Sequence, residues 1–314
     1  MMAAVTGIHH ITAMTANPQV NVREYRDFWG LRLIKQTVNF DDPSTYHLYY
    51  GDYTGAPGTA LTYFPWPNLR PRQPGNHEAS AVAYHVAADA LDAWEARLRQ
   101  AERPVKQLDR FGDAVLVSQD VDGYPVELVG KAADSPELQP WPQSPIPAVE
   151  QLLGFHSITL RVPRVEATAR VLDLMGFERG PTEGKRHRFL ASGHGHGSVV
   201  DVLEDRKALP TKPGAGSVHH VAFRVPDQEA HDALRERLAQ SGLMINGPIN
   251  RTYFTAAYFR EPNGILFEIS TDNPGFTVDE KLEELGATLK LPPQFEHHRE
   301  DIERLLPRVP ALQS

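Results

Sequence analysis

The sequence contains no cysteine among its 314 residues. Without thiols the protein cannot form disulfides, thiolate metal sites or iron–sulfur clusters, and it cannot use a cysteine nucleophile. Any metal ion must therefore be bound by histidine, aspartate or glutamate side chains. The chain carries 14 histidines and 40 acidic residues from which such a site could be built.

Long hydrophobic runs are also missing. No apolar stretch approaches the roughly 20 residues that span a bilayer, and the first residues lack the basic and apolar regions of a secretory signal. The 40 acidic and 32 basic residues give a net charge of −8, which argues against nucleic acid or an anionic membrane as the main partner. We expect a cytoplasmic globular protein with no nucleic-acid and no membrane partner.

The length predicts about two domains, at roughly 150 residues each. Five prolines lie between Lys131 and Glu150, and a segment of this kind neither propagates a helix nor donates fully to a sheet. We predict an N-terminal pair of modules at residues 1–130, a Pro-rich linker at 131–150 and a C-terminal pair at 151–272. The tail, residues 273–314, is expected to contain a helix from Gln294 to Leu306.

Weak internal repetition divides the chain into four copies of one unit, in which a strand and an amphipathic helix precede three further strands. The fourth copy is the clearest: residues 218–225 alternate like a strand, and residues 227–241 carry apolar side chains at helical spacing. Strand candidates follow at residues 249–253, 256–260 and 265–270. The pattern predicts an α+β protein of four βαβββ modules.

A sheet of four strands with one helix buries only one face, so the modules should pair around shared half-barrel cups. Two positions face the cup if side chains alternate with period two. On the first strand the four copies hold His10, Ala81, His156 and His220, and on the last strand they hold Thr62, Glu127, Asp201 and Glu268. Two histidines and a carboxylate gathered on rigid strands are typical ligands of a divalent metal.

The pairing of the modules decides the chemistry of the cup. If the first copy pairs with the fourth, the cup holds His10, His220 and Glu268 beside Thr62, and coordination positions stay open for substrate and dioxygen. If the third copy pairs with the fourth, four protein ligands meet, which suits a Lewis-acid role better. The residues alone leave both pairings open.

Several motifs can be compared with known families. They occupy residues 7–12, 38–43, 46–52, 64–66, 218–225, 258–262 and 289–293. With the βαβββ repetition they resemble the vicinal oxygen chelate superfamily, which includes glyoxalase I, fosfomycin-resistance proteins, bleomycin-binding proteins and extradiol dioxygenases. Within it, the motifs look like those of the hydroquinone-type ring-cleaving dioxygenases.

This resemblance implies that modules one and four share a cup and that Fe(II) is bound by His10, His220 and Glu268. It also implies a set of surrounding catalytic residues: His9, Thr12, His219, Arg251 and Tyr258. The expected activity is opening of a hydroquinone or catechol-like ring with O2, with a small aromatic diol as substrate. Mn(II) accepts the same ligands, so the choice of metal stays open, as does a homo-oligomeric state.

Two other functions remain compatible with the sequence. One is a glyoxalase-like isomerase or lyase that uses nickel, zinc or manganese. The other is a non-enzymatic resistance protein that sequesters an aromatic compound between modules. Metal content distinguishes the resistance protein from the enzymes. A protein that only binds an aromatic compound should keep that binding when His220 is replaced.

Some histidines raise problems of geometry. On flat strands His9 and His219 would point away from the cup, so they reach it only through a bulge, a strand end or an outer contact. The histidine-rich run 193–197 is interpreted as a hairpin turn, because its glycines make a poor preorganised site. The histidines of residues 296–298 are interpreted as part of a solvated helix.

Overall fold

The computed structural model describes residues 4–131, 139–193 and 195–310. Part of the predicted linker, residues 132–138, therefore lies outside the described residues, as do His194 and the end of the predicted tail. Within the described ranges, no helix is long and apolar enough to cross a membrane.

The first and fourth modules contribute one sheet of eight strands. Its strands are β1 (Gly7–Thr15), β2 (Arg32–Asn39), β3 (Asp42–Gly51), β4 (Ala60–Pro65), β13 (Val218–Val225), β14 (Ile245–Asn250), β15 (Thr255–Arg260) and β16 (Leu266–Thr271). They lie in the order β14-β15-β16-β13-β1-β4-β3-β2. The antiparallel pair β1 and β13 joins the two modules at the centre.

The second and third modules form the other sheet, also of eight strands. Its strands are β5 (Glu78–Ala87), β6 (Lys106–Arg110), β7 (Asp113–Gln119), β8 (Pro125–Lys131), β9 (Phe155–Val162), β10 (Glu178–Glu183), β11 (Arg186–Leu190) and β12 (Val199–Glu204). The order is β10-β11-β12-β9-β5-β8-β7-β6. The α+β fold of four modules in two half-barrel sheets is thus confirmed, and the modules pair first with fourth. Each sheet combines one module from residues 1–130 with one from 151–272, so these chain halves do not correspond to the two sheets.

Helices are few and lie outside the cups. They are α1 (Pro18–Val22), which continues as a π-helical turn (Arg23–Phe28), α2 (Leu91–Gln100), α3 (Val165–Leu174), α4 (Gln228–Gln240) and α5 (Arg299–Leu305). Short 3₁₀ turns occur at Ala88–Ala90, Ala148–Glu150, Phe276–Val278, Leu282–Glu284 and Pro293–His298. The predicted helix 294–306 is therefore a 3₁₀ turn that leads into α5.

The predicted strand at residues 249–253 lies earlier in the structure, at Ile245–Asn250. The side chain of Asn250 accepts a hydrogen bond from the Thr252 amide at 2.7 Å, and Thr252 has a φ of +69°. This turn ends the strand. Tyr253, the last residue of the predicted strand, is buried in a loop instead.

The hydrophobic core lies on the outer faces of both sheets, against the helices. Trp29 and Trp94, from the first and second modules, stack with ring centres 5.5 Å apart. Tyr63 is also fully buried here, and its hydroxyl lies 2.5 Å from that of Tyr25. Because apolar residues cover the outer faces, polar side chains collect on the inner faces of the cups.

Candidate metal centre

Two β-bulges position the central histidines. The register between β1 and β13 skips His9 on one strand and His219 on the other, each directly before His10 or His220. A bulge adds one unpaired residue and re-aims the side chains beside it. With these bulges His219 lines the cavity beside His220, whereas His9 does not line it.

His10, His220 and Glu268 meet at the bottom of the first cup, and all three are buried. The Nε2 of His220 lies 2.9 Å from Glu268 Oε2, and the Nε2 of His10 lies 3.5 Å from the same oxygen. The two Nε2 atoms are 3.3 Å apart. Ser270 donates to the other oxygen of Glu268 at 2.6 Å, which holds the carboxylate in this orientation.

These three residues fit a divalent metal ion. Ligands about 2.1 Å from an octahedral ion and at right angles to each other lie about 3 Å apart, close to the observed separations. Glu268 Oε2 is buried, and its near neighbours are the two imidazole Nε2 atoms, neither of which makes a well-aligned hydrogen bond to it, so an ion between the three groups would satisfy it. The donor set, two imidazoles and one carboxylate, is that of non-haem iron sites.

The ionisation states also suit metal binding. Burial alone would raise the pKa of Glu268, but the facing imidazoles of His10 and His220 hold it well below its ordinary value. Burial lowers the pKa of His220, although the nearby carboxylate opposes the shift. An ionised carboxylate and a neutral imidazole are the protonation states that a metal requires.

The fourth cup position, Thr62, does not join this group. Its hydroxyl lies 2.8 Å from that of Thr12 and 2.8 Å from Nε2 of His47. The Nδ1 of His47 in turn lies 2.9 Å from the Tyr49 hydroxyl. Because these contacts occupy the threonine hydroxyl, three protein ligands face the site and one side stays open.

His47 and Tyr49 were not predicted as site residues. They lie within the motif 46–52, two positions apart on β3, so strand alternation places both on the cup face. That signal was available in the sequence but was not used.

A cavity of about 390 Å³ opens above the three ligands, within the range of small-molecule sites. Aromatic side chains dominate its wall. They are Phe40, Tyr49, Phe64, Trp66, Phe254 and Tyr258, together with the imidazoles of His47 and His219. A flat aromatic ring suits such a wall.

Arg251 and Tyr258 line the cavity, as predicted for site residues. Arg251 Nε donates to the Tyr258 hydroxyl at 3.2 Å, and its Nη2 donates to Asp41 at 3.1 Å. Burial raises the pKa of Tyr258 well above its ordinary value. Burial opposes the charge of Arg251, but Tyr258 and Asp41 raise its pKa overall, so arginine stays charged and tyrosine stays protonated.

The other predicted residues divide into two groups. His219 lines the cavity, with its ring centre 5.5 Å from that of Phe64, and burial followed by the charge of His220 lowers its pKa. His9 and Thr12 do not line the cavity. His9 packs beside a ligand, with Nδ1 2.9 Å from Nδ1 of His10.

The second cup has different residues at the positions equivalent to the metal ligands of the first. Here the register of β5 and β9 skips Ser80 and His156, so Ser157 rather than His156 occupies the position equivalent to His220. The alignment of His156 with the ligands was therefore wrong by one residue, because a bulge cannot be seen in strand alternation. Its imidazole Nδ1 lies 2.9 Å from the Ser157 hydroxyl.

The carboxylates of the second cup are paired with arginines. Arg188 binds Asp201 through two contacts, at 2.9 and 3.1 Å, and Arg186 lies 3.4 Å from the same carboxylate. Arg110 binds Glu127 in the same two-contact manner. Across the described ranges, the first cup holds the single group of three close metal-ligating side chains.

The remaining histidine predictions concern loops. Strands β11 and β12 pair antiparallel around residues 191–198, as the hairpin interpretation of 193–197 predicts, although His194 itself is not described. His196 is buried, with its ring centre 5.8 Å from that of His85. His297 and His298 lie on an exposed 3₁₀ turn rather than a regular helix.

Comparison with known proteins finds a matching family model and relatives that are named as ring-cleaving dioxygenases. The family model described as the glyoxalase/bleomycin resistance protein/dioxygenase superfamily matches residues 149–269. The Bacillus subtilis protein named "Putative ring-cleaving dioxygenase MhqA" is 41% identical over 310 residues, covering 96% of this chain and 98% of that protein. The chlorohydroquinone/hydroquinone 1,2-dioxygenase of Sphingobium indicum is 32% identical over 310 residues, covering 96% of each chain.

Two groups of solved structures are similar to this chain. A crystal structure of a "putative dioxygenase" from Bacillus subtilis has a TM-score of 0.93 at 37% identity and covers 99% of each chain. Glyoxalase I from Zea mays has a TM-score of 0.60 at 15% identity, covering 85% of this chain and 92% of that one. The second likeness concerns the fold alone.

Proposed function

The chain belongs to the glyoxalase/bleomycin resistance protein/dioxygenase superfamily, and we propose that it is a ring-cleaving dioxygenase that opens hydroquinone-type rings with O2 at an Fe(II) ion. His10, His220 and Glu268 would hold the ion. The single observation that carries the proposal is this buried triad, whose open side faces an aromatic cavity.

An Fe(II) ion held by His10, His220 and Glu268 would supply open coordination positions and the electron transfer between a dihydroxybenzene and dioxygen. The protein's own contribution is to hold the ring in place and to manage charge and protons. The names of the relatives, a ring-cleaving dioxygenase and a hydroquinone 1,2-dioxygenase, support the substrate class. The triad accepts Mn(II) as well as Fe(II), and Fe(II) is our choice because two histidines and one carboxylate with open positions are the ligand set of non-haem Fe(II) oxygenases.

Tyr258 is proposed as a hydrogen-bond donor to an oxygen of the bound ring or of dioxygen. The hydroxyl oxygen already accepts a hydrogen bond from Arg251, so its own proton is available to a second acceptor. Its raised pKa keeps that proton in place at neutral pH. The arginine adds a fixed positive charge that stabilises developing negative charge beside the hydroxyl.

His219 is proposed to accept a hydrogen bond from the substrate hydroxyl. It lines the cavity next to Trp66, and its lowered pKa leaves it neutral and able to accept. His9 and Thr12 lie outside the cavity lining, so we propose that they act by orienting His10 and Thr62. The cytoplasmic location expected from the composition stays a prediction.

The test is anaerobic purification, loading with Fe(II) and addition of hydroquinone in an oxygen electrode. We expect stoichiometric consumption of dioxygen and loss of the aromatic absorbance. His220→Ala should abolish both signals, and His156→Ala should leave them intact. Absence of oxygen uptake with every dihydroxybenzene tested would contradict the proposal.

A further inference from the structure

Lys35 of β2 has a fully buried side chain. Its Nζ donates to Asp279 Oδ1 at 2.6 Å, to the carbonyl oxygen of Phe276 at 3.1 Å and to the carboxylate of Glu280. The ammonium group also lies 4.8 Å from the centre of the Tyr253 ring. An ammonium is costly to bury unless its three donors all have partners, and here each donor has one. The lysine therefore fixes the position of the segment that supplies its acceptors.

That segment is residues 275–291, which we call the strap. Other residues of β2 bind the strap through its backbone: Arg32 donates to the carbonyl oxygen of Glu283 at 3.1 Å, and Gln36 donates to that of Gly286 at 2.6 Å. Because these bonds do not involve Lys35, the strap should stay attached to β2 when the lysine is replaced. Lys35 instead binds the first part of the strap, residues 276–280.

The strap is joined to the loop formed by residues 251–254. The Tyr253 hydroxyl donates to Asp279 Oδ2 at 3.0 Å, and the Gly275 amide donates to the Tyr253 carbonyl oxygen at 2.9 Å. The ring of Phe276 packs against Tyr253 with centres 5.3 Å apart. Lys35 and Tyr253 thus share one carboxylate, that of Asp279, so the lysine and the loop are coupled.

The loop in turn forms one side of the site. The Phe254 ring lies 5.0 Å from the ring of the ligand His10, and the Phe254 carbonyl oxygen accepts from the Arg251 amide at 2.9 Å. Thr252 has a φ of +69°, which is unfavourable for a β-branched residue and persists only where surrounding contacts enforce it. A loop held in this way should shift when its anchor is weakened.

We propose that Lys35 is a positioning residue of the active site. Through the strap and Tyr253 it holds the loop 251–254, and with it the Phe254 wall and the Arg251 guanidinium. The proposal rests on the proposed function for its kinetic readout only. A second readout, amide exchange in the loop, tests the coupling whether or not the ring-cleaving activity is found.

The experiment compares the full-length wild type with Lys35→Met, which keeps the apolar stem of the side chain and removes the charge. We expect the amides of residues 251–254 to exchange about tenfold faster, because one anchor of the loop is lost. We expect kcat/KM for hydroquinone to fall by about tenfold or more, since misplacement of a substrate-positioning group of roughly 1 Å can cost 10²-fold. Iron content should stay within about twofold of the wild type, because Lys35 contacts no ligand.

Arg188→Met is the matched control. It also removes one buried cation from its carboxylates, but in the second cup, far along the chain from the loop. It should leave the exchange of residues 251–254 and the value of kcat/KM close to those of the wild type. If Lys35→Met fails to fold, Asp279→Asn replaces it, since Asp279 is partly exposed and links Lys35 to Tyr253.

Two results would overturn the proposal. One is unchanged exchange in the loop for a folded Lys35→Met or Asp279→Asn variant. The other is an equal loss of kcat/KM in Arg188→Met, which would mean that general destabilisation explains the effect. If the wild type itself consumes no oxygen, the proposed function fails, and the exchange measurement still decides the role of Lys35.

Discussion

The two cups share one architecture and differ in chemistry. Both are built from eight strands, and both have a central antiparallel pair with two bulges. In the first cup two imidazoles face one carboxylate, and no arginine pairs with it among the described residues. In the second cup Asp201 is paired with Arg188, and Glu127 is paired with Arg110.

In the second cup the carboxylates are matched by guanidinium groups, whereas in the first cup the proposed metal ion would take that part. A guanidinium satisfies the carboxylate permanently and fills the cup. A metal ion satisfies it equally but adds open coordination positions. The fold therefore supplies the position, and a few side chains decide whether a cup is a structural ion pair or a reactive site.

The largest expected effect comes from Glu268→Gln. An amide is a poor ligand for Fe(II), so we expect iron affinity to fall by more than about 100-fold. Replacing a residue that only hydrogen-bonds to a metal ligand typically costs about 10- to 100-fold. Oxygen uptake with hydroquinone should disappear. Metal analysis after dialysis and the oxygen electrode measure both. Glu127→Gln, at the equivalent position of the second cup, is the control, and loss of iron there would break the comparison.

Arg188→Met should destabilise the protein without touching the metal. It leaves the fully buried Asp201 with only the longer contact to Arg186, and removing one partner of a buried pair costs roughly 3 kcal/mol. Urea denaturation followed by circular dichroism measures the change in the free energy of unfolding. An unchanged free energy would mean that the arginines of the second cup are not needed to neutralise its carboxylates.

Thr62→Glu would sharpen the comparison by adding a fourth ligand to the first cup. We expect iron to be retained and oxygen uptake to fall by about tenfold or more, because a position needed for substrate or dioxygen is taken. Thr62→Ser keeps the hydroxyl and should behave like the wild type. Full activity of Thr62→Glu with bound iron would show that the open side is not required.

The smallest effect concerns Asp120, a residue of the second module that binds Tyr25 and Tyr63 of the first. Burial raises its pKa to about 6, so the protonated form favours the folded state. Its stabilising contribution is therefore complete below about pH 4 and is lost as the pH rises through 6. Relative to Asp120→Asn, the wild type should lose about 1.4 kcal/mol between pH 5 and pH 8.

Urea denaturation at both pH values measures this difference. A difference that stays constant between wild type and Asp120→Asn would mean that Asp120 titrates at its ordinary pKa. The contact between the first and second modules would then be insensitive to pH.

Regular elements were predicted well from the sequence because their side-chain periods are simple. The strand β13 (Val218–Val225) matches its predicted bounds, and the helical pattern of residues 227–241 corresponds to α4 (Gln228–Gln240). The triad was also predicted, because His10, His220 and Glu268 occupy repeated positions in modules related by one pattern. Aligning the repeated modules shows which residues occupy the same position in each, so residues far apart in the chain can be predicted to meet.

The misses have one physical cause, which is irregular backbone. The bulge at His156 shifts the register by one residue, and no pattern of alternation records it. The turn at Thr252 ends β14 early because of a hydrogen bond from its amide to Asn250. The contribution of Lys35 depends on acceptors more than 240 positions away in the chain, so local sequence carries no signal for it.

The most direct test of the central claim is anomalous diffraction at the iron edge from crystals of Fe(II)-loaded protein. We predict an iron peak about 2.0–2.2 Å from the Nε2 atoms of His10 and His220 and from Glu268 Oε2, with no peak in the second cup. An iron peak beside Asp201 and Glu127, or an iron ion in the first cup beyond bonding distance of His10, would contradict the account.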